Sequence, residues 1–146
     1  MALDQETLNQ FIDSVRRYVR DRLVPLEMQV AEADRIPEEV IDEMKEMGLF
    51  GLSIPEEFGG LGLTMSEEVA IIQEMGYTSP VFRSMFGTNV GIGSQGIVID
   101  GTPEQKAKYL PKLATGELIG SFALTEADGG SDAGSVVTSD RRDSDD

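Results

Sequence analysis

The residues best suited to chemistry lie near the carboxyl end of the chain, in residues 121–134, which read SFALTEADGGSDAG. Four residues with strand character lead to Thr125, and a turn of small and acidic residues follows. The stretch offers a hydroxyl, backbone amides and glycines, which are the groups of a polar ligand site. Ordinary solvated turns use the same residue types and are the commoner outcome for such a sequence. From the residues alone, a cofactor site and a plain turn both remain open.

The composition excludes several other kinds of chemistry. The 146 residues include no cysteine, which excludes disulfide bonds and thiolate metal sites. They also include no histidine, the commonest general base and metal ligand. Serine hydrolases of the usual triad type and zinc enzymes with histidine ligands are therefore excluded within this chain. Its chemistry has to come from carboxylates, hydroxyls, backbone amides or an added cofactor.

The charge and the apolar runs of the chain bear on its partners and its location. With 27 acidic and 12 basic residues the net charge is −15, which disfavours binding to nucleic acids or anionic membranes. The first residues, MALDQETLNQ, lack the basic and apolar regions of a secretory signal. No apolar run approaches the roughly 18 residues of a membrane span. We expect a cytoplasmic protein, with the mitochondrial matrix open as an alternative.

Helical periodicity dominates the residues that precede the candidate site. A first helix should start at an Asp4 cap and end or kink at Pro25, followed by a short helical continuation. A second helix should end at Gly48, which suits a left-handed terminator. Capping boxes at Thr64 and Thr102 predict the starts of two more helices.

Residues 80–99 have an unusual pattern. They are apolar over most faces of a helix, with small residues between, and no acidic side chain occurs between Ser79 and Ile99. This pattern predicts a core helix that is buried nearly all round. Its glycines would permit close approach of another backbone or of a ligand.

The residue pattern changes from helical to strand-like after Gly116. LIGSFALT, residues 118–125, is typical of a buried strand, and SVVTS, residues 135–139, of a second one. The pattern predicts a boundary between a helical domain, residues 1–118, and the start of a β domain, residues 119–146, which ends in the polar tail RRDSDD. Two strands cannot cover their own apolar face, so either something else covers them or the chain is a piece of a longer protein.

Three motifs carry a resemblance to a known family. FALTEADGGSD resembles the flavin-contacting signature of the acyl-CoA dehydrogenases, GLFGLSIPEEFGGLGLT resembles the family's loop between early helices, and GTPEQKAKYLPKLATGE resembles its last helix before the β domain. The resemblance implies a specific fold class. An all-α N-terminal helical domain would be followed by the first strands of a truncated β-barrel domain, and the family's C-terminal four-helix domain would be absent.

The resemblance also implies FAD as the cofactor and assigns residues to it. The strand would run along the flavin ring, Thr125 would hydrogen-bond the pyrimidine end of the ring, and the glycine-rich turn would sit at the pyrophosphate. The cofactor-binding residues so implied are Phe122, Ala123, Leu124, Thr125, Gly130 and Ser131. For the acyl-CoA substrate, the resemblance implies Ser131 again, with Val90 and Ser94 lining the acyl pocket.

The chain departs from the family pattern in three places. Ala127 replaces the usual proline and Gly129 the usual alanine, and both changes loosen the loop without removing a donor. The family's catalytic glutamate belongs to a region that nothing here matches, so no catalytic residue is assigned. Glu126 lies next to the motif, and we interpret it as a structural or solvated carboxylate.

The implied function is FAD-dependent α,β-dehydrogenation of an acyl-CoA thioester, by a chain that is an N-terminal portion and is inactive alone. An electron-transfer flavoprotein would accept the electrons, and the assembly would be a homotetramer by analogy. One alternative is a flavin-dependent oxidase or monooxygenase of the same fold. Another, from a different class, is a truncated helical interaction module without catalysis.

Overall fold

The computed structural model describes residues 3–139, and the polar tail lies outside them. Within this part of the chain there are seven α-helices and several single turns of 3₁₀ or π helix. The helices are α1 (Gln5–Tyr18), α2 (Glu27–Ala33), α3 (Glu38–Glu46), α4 (Met65–Met75), α5 (Pro80–Val90), α6 (Gln95–Asp100) and α7 (Pro103–Ala114). None of these helices has the length and apolarity needed to cross a membrane.

The helix starts follow the predicted caps. The side chain of Asp4 accepts a hydrogen bond from the amide of Thr7 and begins α1. Thr64 and Thr102 each form a capping box, with Glu67 and Gln105 respectively, and begin α4 and α7. All three predicted starts are confirmed, because a cap depends on residues within one turn of each other.

Pro25 does not end the first helical path. The backbone widens into a π turn over Val19–Leu23 and tightens into a 3₁₀ turn over Val24–Leu26 before α2 begins. Proline has no amide hydrogen, and its ring crowds the carbonyl one turn earlier. A local change of helix type accommodates both effects and bends the path without breaking it.

The core consists of one large cluster and one smaller one. The large cluster joins α1, α3, α4 and α5 through fully buried side chains such as Phe82 and Phe86. The rings of Phe50 and Phe86 meet edge to face at 6.3 Å. The smaller cluster packs α7, through Leu110 and Leu113, against Ile54. The segment that leaves α7 therefore starts from a well-packed base.

The predicted helix over residues 80–99 is wrong as a single buried helix. Helix α5 ends at Val90, a turn follows, and α6 begins at Gln95. Gly91 adopts φ −103° and ψ −111°, which breaks the helix. The burial is also one-sided, since Val81, Ile92 and Ile99 are 41%, 62% and 70% exposed. The small residues that interrupt the apolar pattern include the one at the break.

The two predicted strands do not form within residues 3–139. The segment at 118–125 forms no regular secondary structure and has no ladder partner, and residues 133–135 form a 3₁₀ turn. The described residues hold only an isolated bridge between Glu126 and Gly129. A strand needs a neighbour to pair with, and the described residues offer none to either segment.

One cluster of charged and polar groups ties the end of α1 to α3. The Arg22 guanidinium donates to Glu43, with Nε 3.1 Å from each carboxylate oxygen, and reaches Glu39 at 3.1 Å. The Tyr18 hydroxyl lies 3.0 Å from Glu43 Oε2. The hydrogen bond from Arg22 lowers the pKa of Glu43, and burial together with the bond to Glu43 raises the pKa of Tyr18.

We expect the Glu43 cluster to make stability fall in acid. Because the folded pKa of Glu43 lies below its ordinary value of 4.5, its contribution is complete above that pH and is lost as the pH falls below it. Glu43→Gln should therefore flatten the loss of urea stability between pH 7 and acid pH. Glu57→Gln, at an exposed position, is the control. A wild-type pH dependence that Glu43→Gln leaves unchanged would contradict this expectation.

A second prediction concerns the loop over residues 51–62, where Gly60 is packed against main chain. A Cβ at Gly60 would overlap the Ile54 carbonyl and lie 2.7 Å from the Gly51 oxygen. Gly60→Ala should therefore lower the free energy of unfolding by about 2 kcal/mol or more, since backbone must move. The control Gly96→Ala, in α6 with no atom within 4 Å, should be neutral or stabilising by up to about 1 kcal/mol. Equal urea midpoints for the two variants would contradict this prediction, because the loop would then accommodate a Cβ at Gly60 without loss of stability.

Candidate cofactor site and its support

The candidate cofactor segment, residues 121–131, lies on the surface after α7. The chain turns at Gly116, and the Leu118 amide donates to the Lys112 carbonyl at 3.0 Å. An exposed run without regular secondary structure follows, made of Phe122, Ala123, Leu124 and Thr125. Phe122 leaves 57% of its surface exposed, which is a large apolar area for a side chain next to a polar loop.

A buried amide side chain holds the start of this segment. Asn89 in α5 is fully buried, and its Nδ2 donates to the carbonyls of Leu113 at 2.9 Å and Leu118 at 2.8 Å. Its Oδ1 accepts from the Gly120 amide at 2.7 Å. Our sequence reasoning missed this residue. The available signal was a lone amide in an otherwise apolar and small stretch of α5.

Two glycines let the segment lie directly against the turn between α5 and α6. A Cβ on Gly93 would come 3.2 Å from the Gly120 Cα and 2.7 Å from the Thr88 carbonyl. In the other direction, a Cβ on Gly120 would come 3.1 Å from the Gly93 Cα. The main chains at Gly93 and Gly120 are therefore in direct contact. This agrees with the prediction that glycines in residues 80–99 permit close approach of another backbone.

The glycine-rich turn closes on itself through Glu126. Its amide donates to the Gly129 carbonyl at 2.8 Å, and its carboxylate accepts from the amides of Val137 at 3.0 Å and Thr138 at 2.8 Å. Hydrogen bonds from Thr138 and from Val137 lower the pKa of Glu126. The oxygens of this carboxylate therefore organise the loop, which is what a structural carboxylate would do.

The turn brings two of the predicted cofactor residues together. A Cβ on Gly130 would lie 3.8 Å from Thr125 Cγ2, so the exposed run and the turn approach each other at these two residues. Gly130 and Ser131 are both exposed. The Thr125 side chain and the Gly130 main chain therefore lie next to each other at the protein surface.

The hydrogen-bonding state of residues 121–125 fits a polar ligand. Within residues 3–139, no backbone or side-chain group pairs with the main chain of these five residues. Their amides and carbonyls, together with the Thr125 hydroxyl, can bind a ligand that carries both donors and acceptors. The pyrimidine end of a flavin carries an N–H donor between two carbonyl acceptors, so the residues present fit FAD.

The two predicted acyl-pocket residues lie in the helical layer and not on the exposed segment. Val90 lines a cavity of about 190 Å³, whose walls also include Ser53 and Gln95. The Ser53 hydroxyl donates to the Val90 carbonyl, and Gln95 Nε2 donates to Ser53 at 3.1 Å. Ser94 is fully buried, and among the described residues its hydroxyl has no partner.

The same cavity is also lined by a titratable residue that the sequence did not point to. Glu68 of α4 lines it, and burial raises the pKa of this carboxyl against the opposing effect of Arg83. The groups meet only through the fold, because they come from the loop at Ser53, from α4 and from the break after α5.

Comparison with known proteins identifies the helical part of the chain. Residues 5–117 match the family model for the N-terminal domain of acyl-CoA dehydrogenases. A very long-chain specific acyl-CoA dehydrogenase of Macaca fascicularis is 37% identical over 92% of this chain, and a (2S)-methylsuccinyl-CoA dehydrogenase of Cereibacter sphaeroides is 40% identical over 99% of it.

A solved structure agrees with these relatives. The acyl-CoA dehydrogenase of Bacillus anthracis complexed with FAD superposes with a TM-score of 0.76, at 34% identity over 91% of this chain and 23% of its own. The chain spans 20% and 26% of the lengths of the two curated relatives named above. The family model spans two of the three motifs seen in the sequence, those in residues 48–64 and 101–117, and the chain belongs to the acyl-CoA dehydrogenase family.

Proposed function

We propose that this chain is the amino-terminal part of an FAD-dependent dehydrogenase that oxidises an acyl-CoA thioester between its α and β carbons. The observation that carries the proposal is the exposed run 121–125, whose main chain has no partner among residues 3–139. Membership of the family supports the reaction, since the relatives named above are dehydrogenases of acyl-CoA compounds.

In this proposal the run at 121–125 binds the flavin ring. Backbone groups of Phe122 and Leu124 face the ring, with Ala123 between them, and the amide and hydroxyl of Thr125 donate to its pyrimidine edge. FAD would supply the oxidising group, which carries negative charge at that edge in its reduced form. Donors that are already in position stabilise this charge without reorganisation.

The neighbouring turn would bind the diphosphate and the substrate. Gly130 offers main chain without a side chain in the way, and Ser131 offers a hydroxyl to the diphosphate and to the acyl-CoA. We place the acyl pocket beside Val90 and Ser94. The cavity of about 190 Å³ next to Val90 supports this placement, and the unpartnered Ser94 hydroxyl is a polar group near it.

We assign no catalytic base within the described residues. Glu126 is the carboxylate closest in sequence to the site, but amides of Val137 and Thr138 occupy its oxygens. Asp128 is exposed in the turn, and Glu68 lines the cavity beside Val90, whose walls include no residue of the run 121–131. We therefore propose proton abstraction for residues outside this chain. An electron-transfer flavoprotein as acceptor and a tetrameric assembly belong to the same proposal.

The central prediction is spectroscopic. The protein isolated at the length its gene encodes should be yellow with FAD, and acyl-CoA should bleach its visible absorbance without oxygen, because substrate electrons enter the flavin. The reduced protein should pass its electrons to an electron-transfer flavoprotein. Rapid reoxidation in air with formation of peroxide would favour the oxidase or monooxygenase. A colourless protein at full length, whose gene ends at Asp146, would favour the interaction module.

A second prediction isolates the proposed donors. Ser131→Ala should weaken FAD binding by about tenfold to a hundredfold, because it removes a hydrogen bond to the charged diphosphate. Thr125→Val should weaken it by about twofold to tenfold, because the edge of oxidised flavin is neutral. Ser139→Ala removes an exposed hydroxyl from the same part of the chain and should leave the dissociation constant unchanged. Equilibrium titration of FAD, followed by flavin fluorescence, measures all three. Equal affinity of Thr125→Val and Ser139→Ala would refute the assigned role of Thr125.

A further inference from the structure

We propose that Asn89 is a positioning residue for the cofactor site. Its buried side chain fixes where the chain leaves the helical domain, and so sets the register in which residues 121–125 face FAD. The inference rests on the proposed function for its purpose, but the anchoring itself is testable without FAD.

The contacts of Asn89 show what is anchored. Its side chain makes three hydrogen bonds, of 2.9, 2.8 and 2.7 Å, to the main chain of Leu113, Leu118 and Gly120. The first partner is the end of α7, and the other two lie in the segment that follows. One planar amide therefore joins α5, α7 and the departing chain at a single point.

The three hydrogen-bond partners of Asn89 require a carboxamide side chain at this position. The two carbonyls need two donors, and the Gly120 amide needs an acceptor in the same plane. Asparagine provides all three at this length, whereas aspartate provides only acceptors and alanine provides none. The network also fixes which end of the amide is oxygen, because the reverse orientation would set donor against donor at Gly120.

Gly120 is the last anchored residue before the cofactor run. Beyond it, nothing in residues 3–139 pairs with the main chain of 121–125, and the next fixed point is the bridge of Glu126 with Gly129. The contact of Gly120 with Gly93 restricts sideways movement. Loss of the Asn89 bond would therefore shift the first residue of the run, and every following donor with it.

The same helix turn also carries Val90, which follows Asn89 directly and lines the cavity proposed for the acyl chain. Asn89 thus relates the position of the cofactor run to that of the proposed acyl wall. A residue that contributed only to stability would not affect the position of the cofactor run relative to the acyl wall. The two kinds of role are separable because they predict different results at matched stability.

The first test is amide hydrogen exchange, followed by NMR, on the wild-type protein at the length its gene encodes, after FAD has been removed. The Gly120 amide should exchange at least about tenfold more slowly, after correction for sequence, than the amides of Phe122 and Leu124. Equal rates would overturn the proposal. Because the measurement uses only wild-type protein, it does not depend on whether a variant folds.

The second test uses the variants Asn89→Ala and Asn89→Asp, with Ile71→Ala in the core of α4 as the control for lost stability. Asn89→Ala should speed Gly120 exchange about tenfold more than the control does at the same fraction folded. Asn89→Asp keeps the acceptor for Gly120 and should restore part of its protection. A Gly120 rate that follows global stability alike in all variants would overturn the proposal.

The third test measures FAD retention by the protein at the length its gene encodes. At matched fraction folded, Asn89→Ala should weaken FAD binding at least about tenfold relative to Ile71→Ala. Equal affinities would overturn the positioning role. A wild-type protein that binds no FAD would refute the proposed function instead, and the exchange experiments would then decide on the anchor separately.

Discussion

Residues 121–125 leave the helical domain with a main chain that no described residue pairs, and this is the constraint on which the account depends. Backbone amides and carbonyls are tolerated unpaired in water, but burial without partners costs free energy. Whatever covers this run must therefore supply both donors and acceptors to its main chain. A cofactor with a polar ring edge meets that demand, and so would adjacent strands along the other edge of the run.

The helical domain places this run by local close packing. Gly93 and Gly120 allow two main chains to touch, and Asn89 joins the same region to the end of α7. A larger side chain at either glycine would separate the run from the turn between α5 and α6. The polar loop that follows depends on a different device, since Glu126 holds it through two amides.

The sequence predicted the features that depend on neighbouring residues. Caps at Thr64 and Thr102 need only the next turn of the helix, and both were confirmed. The break at Gly91 was missed because apolar residues continue on both sides of it. Asn89 was missed because its partners lie 24 to 31 residues away and are backbone atoms, which a sequence does not distinguish. Strand character in 118–125 was visible, but pairing requires a neighbour that the described chain lacks.

The most direct measurement of the central claim is amide hydrogen exchange of residues 121–125 in the protein at the length its gene encodes, with FAD bound and after FAD is removed. If the run binds the flavin edge, the amides of Phe122, Leu124 and Thr125 should exchange rapidly without FAD and become protected when it binds. Tightly bound FAD that leaves these three amides at their rates in the FAD-free protein would contradict the account.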